Sequence, residues 1–519
     1  MTSKITLLLL STVLICSVAV AQNKIITQKV AGGSADDRFS SLSLTSDGGY
    51  IVGGTSTSGA SGNKTQPSRG QQDFWIVKYD KNGAIEWDKT IGSEGSDALT
   101  GVQQTTDGGY IAGGTTDGRV SGDRTSPVIG IDNYWLVKLD KNGNIQWDKC
   151  ISTNFTCYSY CVYSLQSFQQ TSDHGYILAG LVDQDPDVEL PRFYRVVKVD
   201  SMGNMQWEHE YIANNVGGYA AMQQTPDGGY ILAGTTTTNN EAYSFPAFFQ
   251  VFKIDKNGNQ EWEQEYRDSS LRGNSAMFTS LIQVNNGYIL GGYSTPDWGT
   301  PDTAINDGLL LRIDKTGNKI SSKRIGGSGI DRITSLQKTS DGRLLAGGWS
   351  NSPKSGDKSE NSRGGFDYWV VKMDAAGNII WDKTYGGSDD DMLVTAIERK
   401  PDEYILGGYS SSGYSGDKRV PSMGGIDYWG IVMEHTAPDI KPLIAAAPDF
   451  SVYPNPAATT INIFTKHKAQ FILSNLLGRP IASKVIENNG TMDVSRLTPG
   501  VYFITNLSTG KKQGVIITR

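Results

Sequence analysis

Two groups of residues in this chain have the types and spacing to do chemistry. The first is a set of aspartates, Asp37, Asp97, Asp331 and Asp391, each at the same place in a repeated sequence. The same four copies carry polar loops: Ser61-Gly62-Asn63-Lys64, Ser121-Gly122-Asp123-Arg124, Ser355-Gly356-Asp357-Lys358 and Ser415-Gly416-Asp417-Lys418. Carboxylates facing such loops could hold a cation or a polar ligand. They could also tether the loops through hydrogen bonds or ion pairs. Polar loop residues are most often turn formers, and exposed ion pairs contribute only about 0–1 kcal/mol each, so tethering is the expectation. The second group is aromatic. Phe155, Tyr158, Tyr160 and Tyr163 surround Cys157 and Cys161, Tyr243, Phe245, Phe248 and Phe249 cluster further on, and Trp298 follows. If exposed, Tyr158, Tyr160, Tyr243 and Trp298 would suit a glycan or a protein partner. If buried, they repack divergent repeats.

Catalytic signatures are missing. His174, His209, His435 and His467 are far apart, and the sequence has no Gly-x-Ser-x-Gly, no His-Glu-x-x-His and no phosphate loop. No catalytic residue, metal site or cofactor is therefore assigned. A carboxylate pair assembled by folding is the remaining route to hydrolysis. It would stand about 5–5.5 Å apart in a retaining glycosidase and about 6.5–9.5 Å apart in an inverting one. The densest acidic run, Asp389-Asp390-Asp391, reads as a solvated loop.

These residues are carried by a block of about 60 residues that recurs seven times. Its anchor is a Tyr-Ile-x-Gly-Gly strand after an Asp-Gly-Gly turn, at Tyr50, Tyr110, Tyr176, Tyr230, Tyr288 and Tyr404, with Leu344 in the sixth copy. The second copy reads as four strands: Ala98 to Thr105 (a), Tyr110 to Thr115 (b), Tyr134 to Leu139 (c) and Asn144 to Ile151 (d). A tight turn lies at Asp107-Gly108-Gly109, a long b–c loop follows, and an Asn142-Gly143 hairpin joins c to d. Repetition of this size in short strands predicts an all-β, seven-bladed β-propeller of four-stranded blades. The seventh copy stops after its c strand, whereas the N-terminus begins with an orphan d strand, Lys24 to Val30. Ile25–Val30 should therefore pair with Trp429–Glu434 and close the ring, removing the exposed edges of an open array. In a closed ring, copies 6, 7, 1 and 2 form one regular sector, and 3, 4 and 5 an irregular one.

The recurring tryptophans, Trp75, Trp135, Trp369 and Trp429 on c strands and Trp87, Trp147, Trp207, Trp262 and Trp381 on d strands, are expected to fill gaps between blades. The Asp-x-Asn-Gly turns at Asp80, Asp140 and Asp255 lack the further carboxylates of a calcium loop and read as hairpins.

The ends differ from the body. Met1 to Ala21 has a basic n-region, an apolar run and an Ala19-Val20-Ala21 cleavage pattern, so it reads as a signal peptide. No stretch is long enough to be a membrane span. Among the 519 residues the net charge of −7 is uneven. Residues 449–519 hold 8 Lys+Arg against 3 Asp+Glu, which leaves −13 on residues 22–448. An acidic body argues against nucleic acid or an anionic membrane as partner. Export permits a disulfide, but Cys150, Cys157 and Cys161 lie so close together that they cannot frame the fold.

Residues 437–448 read as a linker, and residues 449–519 as a small Ig-like β-sandwich of short strands: Thr460–Phe464, Gln470–Ser474, Ile481–Ile486, Gly500–Thr505 and Gly514–Thr518. Tyr453-Pro454-Asn455-Pro456, Leu477-Gly478-Arg479, Leu497-Thr498-Pro499-Gly500-Val501-Tyr502-Phe503 and the basic finish at Lys511, Lys512 and Arg519 resemble the type A C-terminal sorting domain of the Bacteroidetes type IX secretion system. The resemblance implies contact with that machinery through residues 449–519, passage across the outer membrane, and release or attachment at the cell surface. It says nothing of the cargo's activity. Residues 22–436 are similar to a broad class of bacterial repeat proteins with Asp-Gly-Gly-Tyr-Ile and Tyr-Trp-Val-Val-Lys signatures. Members are often of unknown function, and some carry hydrolase names. Here the matching residues, such as Asp47 to Tyr50 and Asp367 to Lys372, read as scaffold. The functional expectation is a secreted or surface-attached binding module for extracellular polysaccharide or protein, using the face with the long b–c loops. The rivals are a glycan-degrading hydrolase with carboxylates in the channel and a structural or adhesion component.

Overall fold

The computed structural model describes residues 22–436 and 449–518, apart from 128–132, 152–160, 185–191, 214–215, 237–247, 268–273 and 297–306. It divides into two compact units, Gln22–Thr436 and a unit holding the tail. The first consists of seven four-stranded antiparallel sheets arranged as propeller blades. Blade one is typical, with strands Asp37–Leu44, Tyr50–Ser56, Asp73–Tyr79 and Ile85–Ile91. The b and c strands are buried along almost their whole length, while the a strand alternates and lines the centre.

Local chemistry sets the turns. In the a–b turn Gly48 takes φ +83°, and the Asp47 carboxylate accepts hydrogen bonds from the Gly49 N–H and the Thr45 hydroxyl. In the c–d turn Asp80 Oδ1 accepts from the N–H groups of Asn82 and Ala84, both at 2.8 Å. The Asp-x-Asn-Gly carboxylates thus hold their own hairpins. A buried c-strand lysine anchors the first turn from below: Lys78 Nζ lies 2.8 Å from Asp47 and 2.8 Å from Glu86. Lys138, Lys198 and Lys253 repeat the bridge to Asp107, Asp173 and Asp227. Burial works against the Asp47 carboxylate, but hydrogen bonds from Lys78 and Thr45 outweigh it and hold the group down at about 2.

Adjacent blades lock through aromatic rings. The c-strand tryptophans Trp75, Trp135, Trp369 and Trp429 are fully buried. Those of the d strands pack on the anchor tyrosine of the next blade, Trp87 on Tyr110 at 5.5 Å and Trp147 on Tyr176 at 6.2 Å. The second glycine of the Tyr-Ile-x-Gly-Gly signature sits where the a-strand backbone and, in five blades, a c-strand ring of the preceding blade come close. A Cβ on Gly54 would lie 2.6 Å from the Tyr428 hydroxyl of the preceding blade and 2.0 Å from the Arg38 carbonyl.

The ring closes as the sequence requires. The strand Gln22–Ala31 is hydrogen-bonded beside Asp427–Thr436, with Ile25 opposite Met433 and Val30 opposite Trp429. Gln28 also does the work of a missing d-strand aspartate. In blade one Asp88 accepts from the Thr65 N–H in the b–c loop, and in blade seven Gln28 Oε1 accepts from the matching Arg419 N–H.

The tail is a sandwich of a three-stranded sheet and a four-stranded sheet around Phe450, Ile461, Ile463, Phe471, Ile504 and Val515. It has two strands beyond those expected from the sequence, Phe450–Tyr453 and Asn489–Asp493, and in the second Gly490 and three polar residues hide the pattern. The second strand forms because Met492 is buried and the segment completes a ladder with Thr460–Thr465.

Removing residues 22–31 exposes the edge of the last blade and strips Trp381 and Trp429 of their cover. The truncated protein should lose thermal stability and self-associate, as read by differential scanning calorimetry and light scattering. An unchanged melting temperature and a monomeric species would show that closure is dispensable.

Candidate functional site

The a strands surround a central cavity of about 690 Å³. Six of the seven a strands carry a β-bulge at the same place, for example between Phe39 and Ser41 and between Ile333 and Ser335. Bulges re-aim side chains, and here they present serines and threonines to neighbouring blades. Ser43 donates to the Val102 carbonyl, Thr100 to Leu165, and Thr334 to Leu393. Much of the polar wall is thus stitching between blades.

The wall is asymmetric where the b strands run into the b–c loops. The equivalent positions are Thr55 and Thr115 in blades one and two, where each hydroxyl accepts a backbone N–H from the next blade. In blades five to seven they are Tyr293, Trp349 and Tyr409, all lining the cavity. Arg332 lies over two of these rings, 4.2 Å from the Tyr293 centroid and 4.6 Å from that of Trp349. Phe366 meets Trp349 edge-on at 4.6 Å. Arg332 is the one charged side chain among the described lining residues. Comparing the seven copies at this single b-strand position would have found the cluster. The sequence reading followed the loops instead.

The four repeated aspartates lie elsewhere, in the junctions between blades. Asp37, Asp97, Asp331 and Asp391 are fully buried, not exposed. Asp37 Oδ2 accepts from the Gly33 N–H at 2.6 Å and the Ser58 hydroxyl at 2.9 Å. Asp331 and Asp391 repeat this with Gly327 and Ser352, and with Gly387 and Ser412. In blade two the serine comes from the opposite loop. Ser93 replaces the first glycine and bonds Asp97, while Gly118 replaces the second serine. A Cβ on Gly118 would stand 1.8 Å from the Ser93 hydroxyl, so the junction has room for one hydroxymethyl group. The basic loop residues are buried as well but form no ion pair with these aspartates. Lys64 Nζ donates to the Ser58 carbonyl and the Ser68 hydroxyl, and Lys358 to Ser352 and Ser362. Both sets of residues tether loops through hydrogen bonds in a buried junction.

A second aspartate enters each junction from the c strand of the preceding blade: Asp73, Asp367 and Asp427 are fully buried. Burial pushes Asp367 up to about 6, and the nearby Asp391 charge adds to the rise. Burial likewise raises Asp37, Asp73, Asp97 and Asp391, with hydrogen bonds offsetting part of the effect. Among the described residues no group of three His, Cys, Asp or Glu side chains is placed to hold a metal.

Other expectations meet the structure unevenly. Tyr158, Tyr160, Tyr243 and Trp298 lie outside the described residues. Phe249 is packed in the core, its ring 4.3 Å from that of Phe278. Cys150 is half-buried and forms no disulfide among the described residues. In the Asp389-Asp390-Asp391 run, Asp391 is buried and Asp390 accepts the Phe366 N–H, so the run is not simply solvated.

In the tail the motif residues build the sandwich. Asn455 donates to the Gly514 carbonyl at 3.0 Å and accepts the Ile516 N–H at 2.8 Å, fixing the first motif to the last strand. The Tyr502 hydroxyl donates to the Thr498 carbonyl, and Asn475 accepts N–H groups from Leu477 and Arg479 around Gly478. Residues 451–518 match the family described as the secretion system C-terminal sorting domain. The tail is a type IX sorting domain. The chain is therefore exported by that system to the cell surface or the extracellular space. The sorting domain covers the tail alone, and the chain matches no curated protein sequence.

Solved structures similar to this chain share its fold only. They include BBS1N in complex with ARL6DN (8% identity, TM-score 0.41, covering 80% of this chain and 97% of that one). A PQQ-bound aldose sugar dehydrogenase from Streptomyces coelicolor is 9% identical, with TM-score 0.35 and coverage of 80% and 99%. An ulvan lyase bound to GlcA(1-4)Rha3S is 10% identical, with TM-score 0.46 and coverage of 77% and 97%.

The junction carboxyls make a pH prediction. Asp367 has a folded value of about 6 against an ordinary 3.8. The folded state therefore holds the proton more tightly, and the stability that Asp367 contributes below 3.8 is lost as pH rises through 6. The Lys-bridged Asp47, Asp107 and Asp173, held at about 2, lose their contribution only below 3.8, outside this window. His435, lowered by burial, acts in the opposite direction, so wild type must be compared with Asp367→Asn. The wild-type protein should lose more melting temperature between pH 5 and 8 than the Asp367→Asn protein. Identical slopes would reject the assignment.

Proposed function

We propose that this chain is an exported binding module that takes an extracellular ligand, a glycan in the first instance, into the end of its central channel nearest the b–c loops. One observation carries the reading. About half of the described lining residues carry hydroxyl or amide side chains, aliphatic residues and Arg332 stand among them, an aromatic arc lies at one end, and the lining includes no aspartate or glutamate. Rings of Trp and Tyr beside polar hydrogen-bonding groups suit a sugar, whose faces are apolar and whose edges carry hydroxyls. Glycosidic hydrolysis calls for two carboxyl groups flanking the bond, which favours binding over the hydrolase alternative. The buried junction aspartates belong to the scaffold in this reading.

The test uses the mature chain, residues 22–519, on a glycan array, with reducing sugar assayed on every glycan retained. Binding without release of sugar is the expected outcome. Turnover would overturn the reading in favour of a hydrolase.

A further inference from the structure

We infer that the channel takes the anionic end of an acidic glycan, with Arg332 as its oxyanion anchor. The inference rests on the channel-binding reading above and adds the charge of the ligand.

The argument begins with charge. Residues 22–448 carry a net −13, yet the one charged side chain among the described residues of the channel wall is a cation. The Arg332 side chain makes no hydrogen bond or ion pair with any described residue, and its Nε is buried without an acceptor. Its equivalent in blade one, Arg38, behaves differently: it is more than half exposed and reaches Asp36 at 3.6 Å. The Tyr293 and Trp349 rings hold the Arg332 guanidinium through the faces of their π systems. Contact of that kind leaves the in-plane N–H donors unspent, and a planar fork of donors matches a carboxylate or sulfate bidentately. Ordering a long side chain costs entropy. Here the two rings have already met that cost, so the anchor is preorganised.

The neighbours say what surrounds the anion. Tyr409 and Met392 line the same end of the cavity, and Phe366 supports Trp349 from behind. An anion alone would not need this apolar arc. A ring bearing an anionic substituent uses both parts, the ring against Trp349 and Tyr409 and the substituent against Arg332. A uronic acid carboxylate and a sugar sulfate ester share this chemistry.

The test presents the mature chain, residues 22–519, with arrayed uronic-acid-terminated, sulfated and neutral oligosaccharides, and with acidic peptides. The variants are Arg332→Met, Arg332→Lys and, as a control, Arg38→Ala. Melting temperatures establish that each variant is folded. Wild type should retain acidic glycans, more weakly at high salt. Arg332→Met should weaken them roughly 10- to 100-fold, Arg332→Lys should fall between, and Arg38→Ala should match wild type. The uronic and sulfated arms distinguish the two anions. Retention of neutral glycans only, or of acidic glycans undiminished in Arg332→Met, would overturn this inference and leave channel binding standing. Preference for acidic peptides would overturn the glycan assignment. Retention of nothing would overturn both readings.

Discussion

In five of the seven blades an aromatic ring of the c strand leans against a glycine in the b strand of the next blade, and the stacking of the propeller depends on that contact. Tyr428, Phe74, Tyr134, Tyr194 and Tyr368 approach Gly54, Gly114, Gly180, Gly234 and Gly408 so closely that no Cβ fits between. A single four-stranded sheet has two apolar faces and cannot bury both. Stacking buries them, and the ring leaves no terminal face exposed only if the last blade meets the first. Tyr428 makes that junction by donating to the Trp75 carbonyl at 3.1 Å. The N-terminal strand completes the blade that carries Tyr428, so the two ends of the propeller sequence are bound into one sheet.

The same junctions bury carboxylates in pairs. This is an expensive arrangement for ionised groups, and the structure limits the cost in three ways. Backbone N–H groups and serine hydroxyls bond one oxygen of each aspartate. A glycine, Gly92 or Gly386, lets the c-strand carboxylate approach the neighbouring loop. The raised pKa values shift the pair toward holding a proton. The outcome is a buried rim in the regular sector, on which the b–c loops are held by their own buried lysines.

The channel departs from this symmetry. At one b-strand position, blades one and two spend threonine on stitching, whereas blades five to seven carry aromatic rings and hold Arg332 between two of them. A position that serves the fold through threonine in blades one and two has no threonine in blades five to seven, and those copies carry the rings around Arg332. The export address sits on a separate compact unit whose motif residues are spent on its own sandwich.

Strand periodicity, turn chemistry and repeat spacing are local properties. The sequence alone therefore determined the seven blades, the pairing of the closing strand to within a residue, and the sorting domain with its motifs. The strand Asn489–Asp493 escaped because its pairing, not its composition, makes it a strand. The burial of Asp37, Asp97, Asp331 and Asp391 was equally invisible, since polar loop residues look alike until neighbouring blades exclude water from them. Only the tertiary structure decided that the channel wall carries, among its described residues, a single cation between aromatic rings. Arg332 and Trp349 are apart in sequence and Tyr293 lies on another blade. Cross-strand pairing and blade stacking bring the three together, and neither is written in any single stretch of the chain.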